Sequence, residues 1–199
     1  LIAMAIPATT TLLNIYDNDA AELDVVITGY QWKWKYEYLN KDGENVSFFS
    51  QLRTPQSEIR NSEAKGEHYL LEVDEPLVLP VDTKVRVLIT AGDVLHAWWV
   101  PAFGVKQDAI PGFVRDSWFK AEKTGIYRGQ CAELCGKEHG FMPIVVEVKS
   151  KDDYAKWVRD QKAQMAAAAD DPGKTWTEAE LMAKGATVYT EEVESAPRS

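Results

Sequence analysis

A chain of 199 residues with 45% hydrophobic content can bury one good core, and nothing in its composition points to disorder overall. The formal net charge of -9 argues against nucleic acid and leaves plain solubility or attraction of a basic partner, because an acidic field steers cations toward it. Only two cysteines occur, Cys131 and Cys135, so this is no disulfide-stapled scaffold and the pair asks for a local explanation.

In chain order, residues 1–13 carry no charged side chain. A bilayer span takes roughly 20 apolar residues, and the basic start and small-residue cleavage site of a signal peptide are missing. The stretch is expected to be the outer end of a transmembrane helix, against the plainer alternative of a buried or frayed apolar terminus. From Val25 the pattern alternates, so that Tyr30, Trp32, Trp34, Tyr36 and Tyr38 fall on one face of a strand and Gln31, Lys33, Lys35 and Glu37 on the other. Lys41-Asp42-Gly43-Glu44 has turn chemistry, and the polar stretch 54–67 reads as a surface excursion.

Short β-type runs follow at residues 69–73, 85–90, 117–120, 125–128 and 143–148, separated by Pro, Gly and Asp. Such punctuation predicts an antiparallel sandwich or small barrel. Pro80, Pro101, Pro111 and Pro143 belong at strand ends or in loops, since proline cannot donate to a ladder. After Ser150 the period lengthens, with Tyr154, Trp157, Val158, Gln161 and Met165 at helical spacing and Asp153 three residues past a Ser150 cap. An amphipathic helix is therefore expected over residues 151–170, stopping near Asp171-Pro172-Gly173. Residues 171–199 form an acidic, polar tail with one short helix at 178–184, much of it expected to be poorly ordered.

The chemistry concentrates in Gln130-Cys131-Ala132-Glu133-Leu134-Cys135-Gly136-Lys137-Glu138-His139-Gly140-Phe141-Met142, which sets two thiols, an imidazole and a thioether in one loop. These are soft or borderline donors, and a thioether is a poor zinc ligand but a good copper one. A second imidazole, His96, stands upstream in Val94-Leu95-His96-Ala97-Trp98, near the end of a strand. One His from an upstream loop, with Cys, His and Met from a late loop of a β-sandwich, is the ligand logic of blue-copper proteins. The extra Cys changes the count, because two bridging thiolates can hold two copper ions close together. Three other readings of the cysteine pair stay open: a strained local disulfide, a zinc site shared with the two histidines, or two small buried hydrophobes.

The run Cys131-Ala132-Glu133-Leu134-Cys135-Gly136, with His139 and then Met142-Pro143-Ile144-Val145, resembles the copper-A motif of the cytochrome c oxidase subunit II family. Gly29-Tyr30-Gln31-Trp32-Lys33-Trp34-Lys35-Tyr36-Glu37-Tyr38, Asp93-Val94-Leu95-His96-Ala97-Trp98 and Asp108-Ala109-Ile110-Pro111-Gly112 look like the same family's segments in the same order. The likeness runs from about Leu1 to Val158. It implies a mainly β, cupredoxin-like Greek-key sandwich or barrel over residues 14–150, between the end of an N-terminal transmembrane helix and the C-terminal amphipathic helix.

Residue by residue, the resemblance implies that Cys131 and Cys135 bridge both ions of a binuclear copper-A centre. His96, His139, Met142 and the backbone carbonyl of Glu133 complete it. The Glu133 side chain then points away from copper and helps hold magnesium or manganese at the boundary with the catalytic subunit, as a hard oxygen donor should. Trp32 matches the tryptophan that receives the electron from cytochrome c, and Glu37 and Asp93 match positions where that donor docks. On the residues alone, a Trp in an aromatic strand face is more often core, and Glu133 also reads as a surface carboxylate. Lys33 and Lys35 depart from the less charged residues of the family, which puts the sign of the field around Trp32 in question.

The resemblance further implies an electron-accepting subunit of a bacterial oxidase of the aa3 type, anchored in the inner membrane with its copper domain in the periplasm. Electrons would arrive one at a time from cytochrome c or a membrane-bound cytochrome and pass through His139 to haem. The haems, oxygen chemistry and proton translocation would lie in the catalytic subunit I, with subunit III alongside. Residues 180–190 resemble the first helix of a cytochrome c domain that some bacterial relatives carry at this end, although Cys-x-x-Cys-His is missing, so the tail is a remnant of such a domain or a linker to one. Three rivals use similar parts: a quinol-oxidase subunit, which lacks the copper ligands, the copper-A domain of nitrous oxide reductase, and a copper-delivery protein.

Overall fold

The computed structural model of the chain describes residues 1–17, 19–39, 46–168 and Met182. The chain divides into Leu1–Ala163 and Gln164–Ser199, and the elements that matter for function lie in the first unit. Strands form where alternation places one face in the core. β1 (Leu23–Tyr30) buries Val25 and Ile27, β2 (Lys33–Leu39) buries Trp34, Tyr36 and Tyr38, and β3 (Val46–Gln51) buries Val46 and Ser50. A short helix, α2 (Gln56–Ile59), crosses the surface before β4 (Leu77–Pro80), β5 (Lys84–Ala91), β6 (His96–Val100) and β7 (Val105–Ala109). Then follow β8 (Arg115–Lys120), β9 (Gly125–Cys131) and β10 (Pro143–Lys149).

Two five-stranded sheets result, in the orders β3-β2-β1-β5-β8 and β4-β10-β9-β6-β7. Their inner faces meet through Ile27, Trp34, Tyr36, Ile89, Trp98, Ile144 and Val146, all fully buried. Each large apolar side chain so buried contributes about 1.5–3 kcal/mol. The expected mainly β sandwich is therefore present, and Pro80, Pro101, Pro111 and Pro143 sit at strand ends or in loops.

Three expectations need correction. The sheets are mixed, because β1 runs parallel to β5 and β4 parallel to β10. The aromatic run is two strands, with Tyr30 opposite Lys33 and Gln31-Trp32 making the turn. This two-residue turn reverses the parity, so Tyr30 shares the outward face with Lys33 and leaves Gly29 opposite Trp34 on the inner one. Residues 69–73 form no strand. The Tyr69 and Leu71 amides close turns on Gly66 and His68, the Leu70 amide donates to Thr54 Oγ1, and only Val73 makes a single bridge, to Leu52.

The apolar start is a helix, α1 (Ile2–Tyr16), whose large side chains Leu1, Ile2, Met4 and Ile6 flanking and within it are exposed. No helix among the described residues is long and apolar enough to cross a membrane. The end of α1 is tied to the sandwich: Trp118 Nε1 donates to the Ile15 carbonyl at 2.9 Å, and Lys84 Nζ donates to the carbonyls of Asp17 and Asp19. A cation at a helix C-terminus also suits the dipole.

The predicted cap holds at the other end. In α3 (Lys151–Ala168) the Asp153 amide donates to Ser150 Oγ, and the Ser150 hydroxyl donates to the Asp153 carboxylate at 2.6 Å. Trp157 then packs on Tyr38 and Phe48. The turn expected at residues 41–44 and the tail after residue 168, apart from helical Met182, lie outside the described residues.

One side chain pins sheet to sheet. The Tyr38 hydroxyl donates to the Val78 carbonyl at 2.8 Å and accepts from the Val78 amide at 2.9 Å, wholly buried. Tyr38→Phe removes both partners at once, and each orphaned buried group costs about 1–3 kcal/mol. A drop in melting temperature of about 5–15 °C is expected in thermal denaturation. An unchanged melting temperature would mean that water replaces the hydroxyl at no cost.

Candidate metal centre

Two backbone pairings bring the donors together. β9 delivers Cys131 at its end, and the Cys131 amide donates to the Met142 carbonyl at 3.1 Å, which closes the base of the loop as β10 begins. The Ala132 amide donates to the Ala97 carbonyl at 3.0 Å, which brings the start of the loop beside His96, the first residue of β6. Cys131, Cys135, His96 and Met142 are buried, while His139 is half-buried in a turn of 3-10 helix, His139–Phe141.

Within this pocket Cys131 Sγ lies 3.9 Å from Cys135 Sγ and 3.9 Å from His96 Nδ1. Cys135 Sγ lies 3.5 Å from His139 Nδ1, and the Glu133 carbonyl is 3.4 Å from Cys131 Sγ. Ligand atoms of His96, Cys131 and Cys135 all fall within 4.8 Å of one another. The two cysteines are free thiols, and their separation far exceeds a disulfide bond of about 2.05 Å. Nor are they inert fillers, because each sulfur faces its own imidazole nitrogen.

The electrostatics favour a cation. Burial opposes ionisation of Cys131, but hydrogen bonds with His96 and with the backbone at Ala97 and Glu133 outweigh it and bring the thiol down to about 7. At Cys135 burial and then the charge of Cys131 push the thiol up to about 12. One proton leaves readily, and the second needs a metal ion to replace it. Burial disfavours a charged His96, yet Cys131 and Asp93 outweigh it and raise its pKa.

Asp93 does more than sit at the surface. Its Oδ1 stands 2.9 Å from His96 Nε2 and accepts the Val94 amide, while Oδ2 accepts the Gln31 amide at 2.7 Å. With Nε2 engaged by a carboxylate, Nδ1 is the nitrogen left to face the sulfurs, the usual arrangement for a metal-binding histidine. Space for the ring comes from Gly29, where a Cβ would lie 2.8 Å from His96 Cδ2.

The remaining sequence-derived residues scatter around this group. Trp32 is half-buried in the β1–β2 turn and lies along the loop, with Cζ2 3.3 Å from where a Gly136 Cβ would stand. The Glu133 side chain is exposed. Glu37, on the outward face of β2, pairs with Lys35 at 3.3 Å and is not part of the cluster. Lys33 Nζ sits 4.4 Å over the Phe49 ring. Gln31 went unnoticed in the sequence, where it reads as one polar position in an alternating run; its side-chain Nε2 donates to the Cys135 carbonyl at 2.8 Å.

Comparison with known proteins gives this geometry a family context. The model of the family described as cytochrome C oxidase subunit II, periplasmic domain, matches residues 23–149. A cytochrome c oxidase subunit 2 of Cyanidium caldarium is 41% identical over 164 residues, covering 81% of this chain and 62% of its own length. One from Cereibacter sphaeroides is 41% identical over 175 residues, covering 81% of this chain and 57% of its own. The chain thus spans about three fifths of these relatives. The crystal structure of the periplasmic domain of cytochrome oxidase subunit II of Bradyrhizobium japonicum is 44% identical with a TM-score of 0.63, covering 72% of this chain and 96% of that one. The two-sheet sandwich is accordingly of the cupredoxin-like type.

Proposed function

Because this chain belongs to the cytochrome c oxidase subunit II family through its periplasmic domain, we propose that it accepts electrons one at a time from cytochrome c, or a membrane-bound cytochrome, and hands them to haem in the catalytic subunit I. The residues that would hold a binuclear copper-A centre are Cys131, Cys135, His96, His139, Met142 and the Glu133 carbonyl. When bound, a copper pair on these donors would supply a one-electron store whose charge is shared, so little rearrangement would accompany each transfer.

The observation that carries this reading is the sulfur pair, 3.9 Å apart, with His96 on one sulfur and His139 on the other. Such a two-ended donor set suits two soft ions side by side. The chain's own part is to keep the donors fixed. The β6–β9 contact and the Cys131–Met142 backbone bond hold the sulfurs, Asp93 holds the imidazole of His96, and burial excludes water.

Trp32 receives the electron, and His139 leads it onward. Glu37 and Asp93 belong to the face that meets a basic donor. The overall charge of -9 favours that encounter, raising its rate and its sensitivity to salt more than its strength. The exposed carboxylate of Glu133 is free to bind magnesium or manganese where the catalytic subunit meets this one. α1 is the outer end of a membrane anchor, which sets the sandwich on the periplasmic side of a bacterial inner membrane. Subunits I and III complete the assembly, and the first carries the haems, reduces oxygen and translocates protons.

The test is spectroscopic. Loaded with copper, the chain is expected to turn purple and to show electron-spin hyperfine structure from two equivalent coppers. A single-copper signal, or one firmly bound zinc in natively prepared protein, would overturn the reading.

A further inference from the structure

The corner that carries Trp32 is bonded to the metal site at two points, once to the segment that leads into His96 and once to the loop that carries the cysteines, and both bonds come from Gln31. Its backbone amide donates to Asp93 Oδ2 at 2.7 Å, on the carboxylate whose other oxygen faces His96 Nε2. Its side-chain Nε2 donates to the carbonyl of Cys135 at 2.8 Å. Gln31 therefore joins the support of one imidazole to the backbone of one sulfur-bearing residue. The next loop residue is Gly136, at φ +116, where a Cβ would lie 2.8 Å from Gln31 Nε2 and 3.3 Å from Trp32 Cζ2. Any side chain there would push the corner off the loop and would also strain a backbone that glycine alone adopts freely.

The loop has little else to steady this stretch. Its backbone bonds from His139 to Gly136 and from Phe141 to Glu138 stay inside the loop, and Glu133, Leu134, Gly136 and Lys137 are exposed. The amide of Gln31 thus supplies the tie between the β1–β2 corner and the segment just after Cys135.

We propose that Gln31 is a positioning residue, one that locks the Trp32 corner onto the Cys135–Gly136 backbone and so fixes the contact across which an electron leaves the indole. The idea rests on the proposed role of Trp32 and extends it to a residue outside the proposed ligand set. Ligands set whether the centre forms; Gln31 sets how well the indole is coupled to it. A contact held by a hydrogen bond persists, whereas a contact left to an exposed loop fluctuates and leaves gaps through which transfer is poor.

Gln31→Leu, made in the whole 199-residue chain, separates these roles. The substitution removes the amide donor and keeps the backbone N–H on Asp93. In the metal-free chain, amide hydrogen exchange at His139 and Phe141, whose bonds to Gly136 and Glu138 close this part of the loop, is expected to quicken about fivefold, the population shift that the loss of one neutral hydrogen bond allows. Exchange in β10 and the melting temperature are expected to hold. In the copper-loaded chain, the paired-copper spectrum is expected to persist, and reduction by cytochrome c to slow about tenfold through misplacement of the contact. Reduction by a small, freely diffusing inorganic reductant is expected to stay at its wild-type rate. Unchanged exchange at those amides, or a cytochrome c rate that does not fall relative to the small reductant, overturns the assignment. Failure of the copper-A reading would appear elsewhere, as a wild-type chain without the paired spectrum.

Discussion

Cys131→Ser is expected to abolish the paired-copper spectrum while leaving the sandwich folded. A serine oxygen is a hard donor and ionises far less readily than a thiol. The loss should be complete, because Cys131 Sγ is the hub of the cluster, facing His96 Nδ1, Cys135 Sγ and the Glu133 carbonyl together. The fold should survive because what Cys131 gives the sheets is backbone: its amide on the Met142 carbonyl and its pairing with Trp98. The Glu133 carbonyl, 3.4 Å from Cys131 Sγ, is the nearest acceptor for a new hydroxyl, and the cost of burying it is about 1–3 kcal/mol. Copper titration followed by absorption and electron-spin resonance reads the first claim, and circular dichroism the second. Survival of the shared-electron signal in the variant would show that this sulfur does not bridge.

The parts of the fold that were legible in the sequence share one property, a local cause. β5 shows itself because one face is core, β8, β9 and β10 because short β-type runs stand between Pro, Gly and Asp, and α3 through Ser150 and Asp153, whose two hydrogen bonds are made between residues three apart. β4 leaves no mark because it is only four residues long, Leu77 to Pro80, all of them buried, so neither length nor alternation signals it. The β1–β2 hairpin reads as one strand in the sequence because its turn is Gln31-Trp32, without the Asn or Gly that usually announces a tight hairpin. Residues 69–73 misled in the opposite sense. Tyr69, Leu71 and Val73 have strand composition, but local turns on Gly66 and His68 and the Thr54 hydroxyl satisfy the backbone first. The parallel pairings of β1 with β5 and of β4 with β10 join distant segments and leave no local trace.

The candidate site divides along the same line. Cys131, Cys135, His139 and Met142 were visible because one loop carries them, and their spacing is a statement about chemistry. His96 belonged with them by ligand logic, and its ring is indeed against Cys131. Asp93 matches a docking carboxylate by resemblance, and its geometry adds a second tie, to His96 and to the Gln31 amide. Gln31 gave no signal because its partner is a backbone carbonyl 104 positions away, and any residue has a carbonyl. Side chains that bind a metal advertise themselves by type; side chains that hold the binder in place are recognised only once the chain is folded.

Trp32→Phe is expected to slow reduction by cytochrome c about tenfold to a hundredfold, while the copper spectrum and the rate with a small inorganic reductant stay as they were. The reason is which edge of the ring is lost. Indole Cζ2 and Nε1 are the atoms nearest the Gly136 position, and a phenyl ring at the same Cα stops short of them. Stability should change little by comparison: Nε1 is buried without a hydrogen-bond partner among the described residues, so its removal relieves an unsatisfied donor and offsets part of the lost apolar contact. Docking should be untouched, since no charge changes, and the slope of the association rate against ionic strength reports that separately. Stopped-flow mixing at several salt concentrations therefore distinguishes a broken contact from a weakened encounter. A rate that survives the substitution would make Trp32 a core ring that merely lies beside the metal loop, and the donor's electron would have to reach Cys135 by another face of the sandwich.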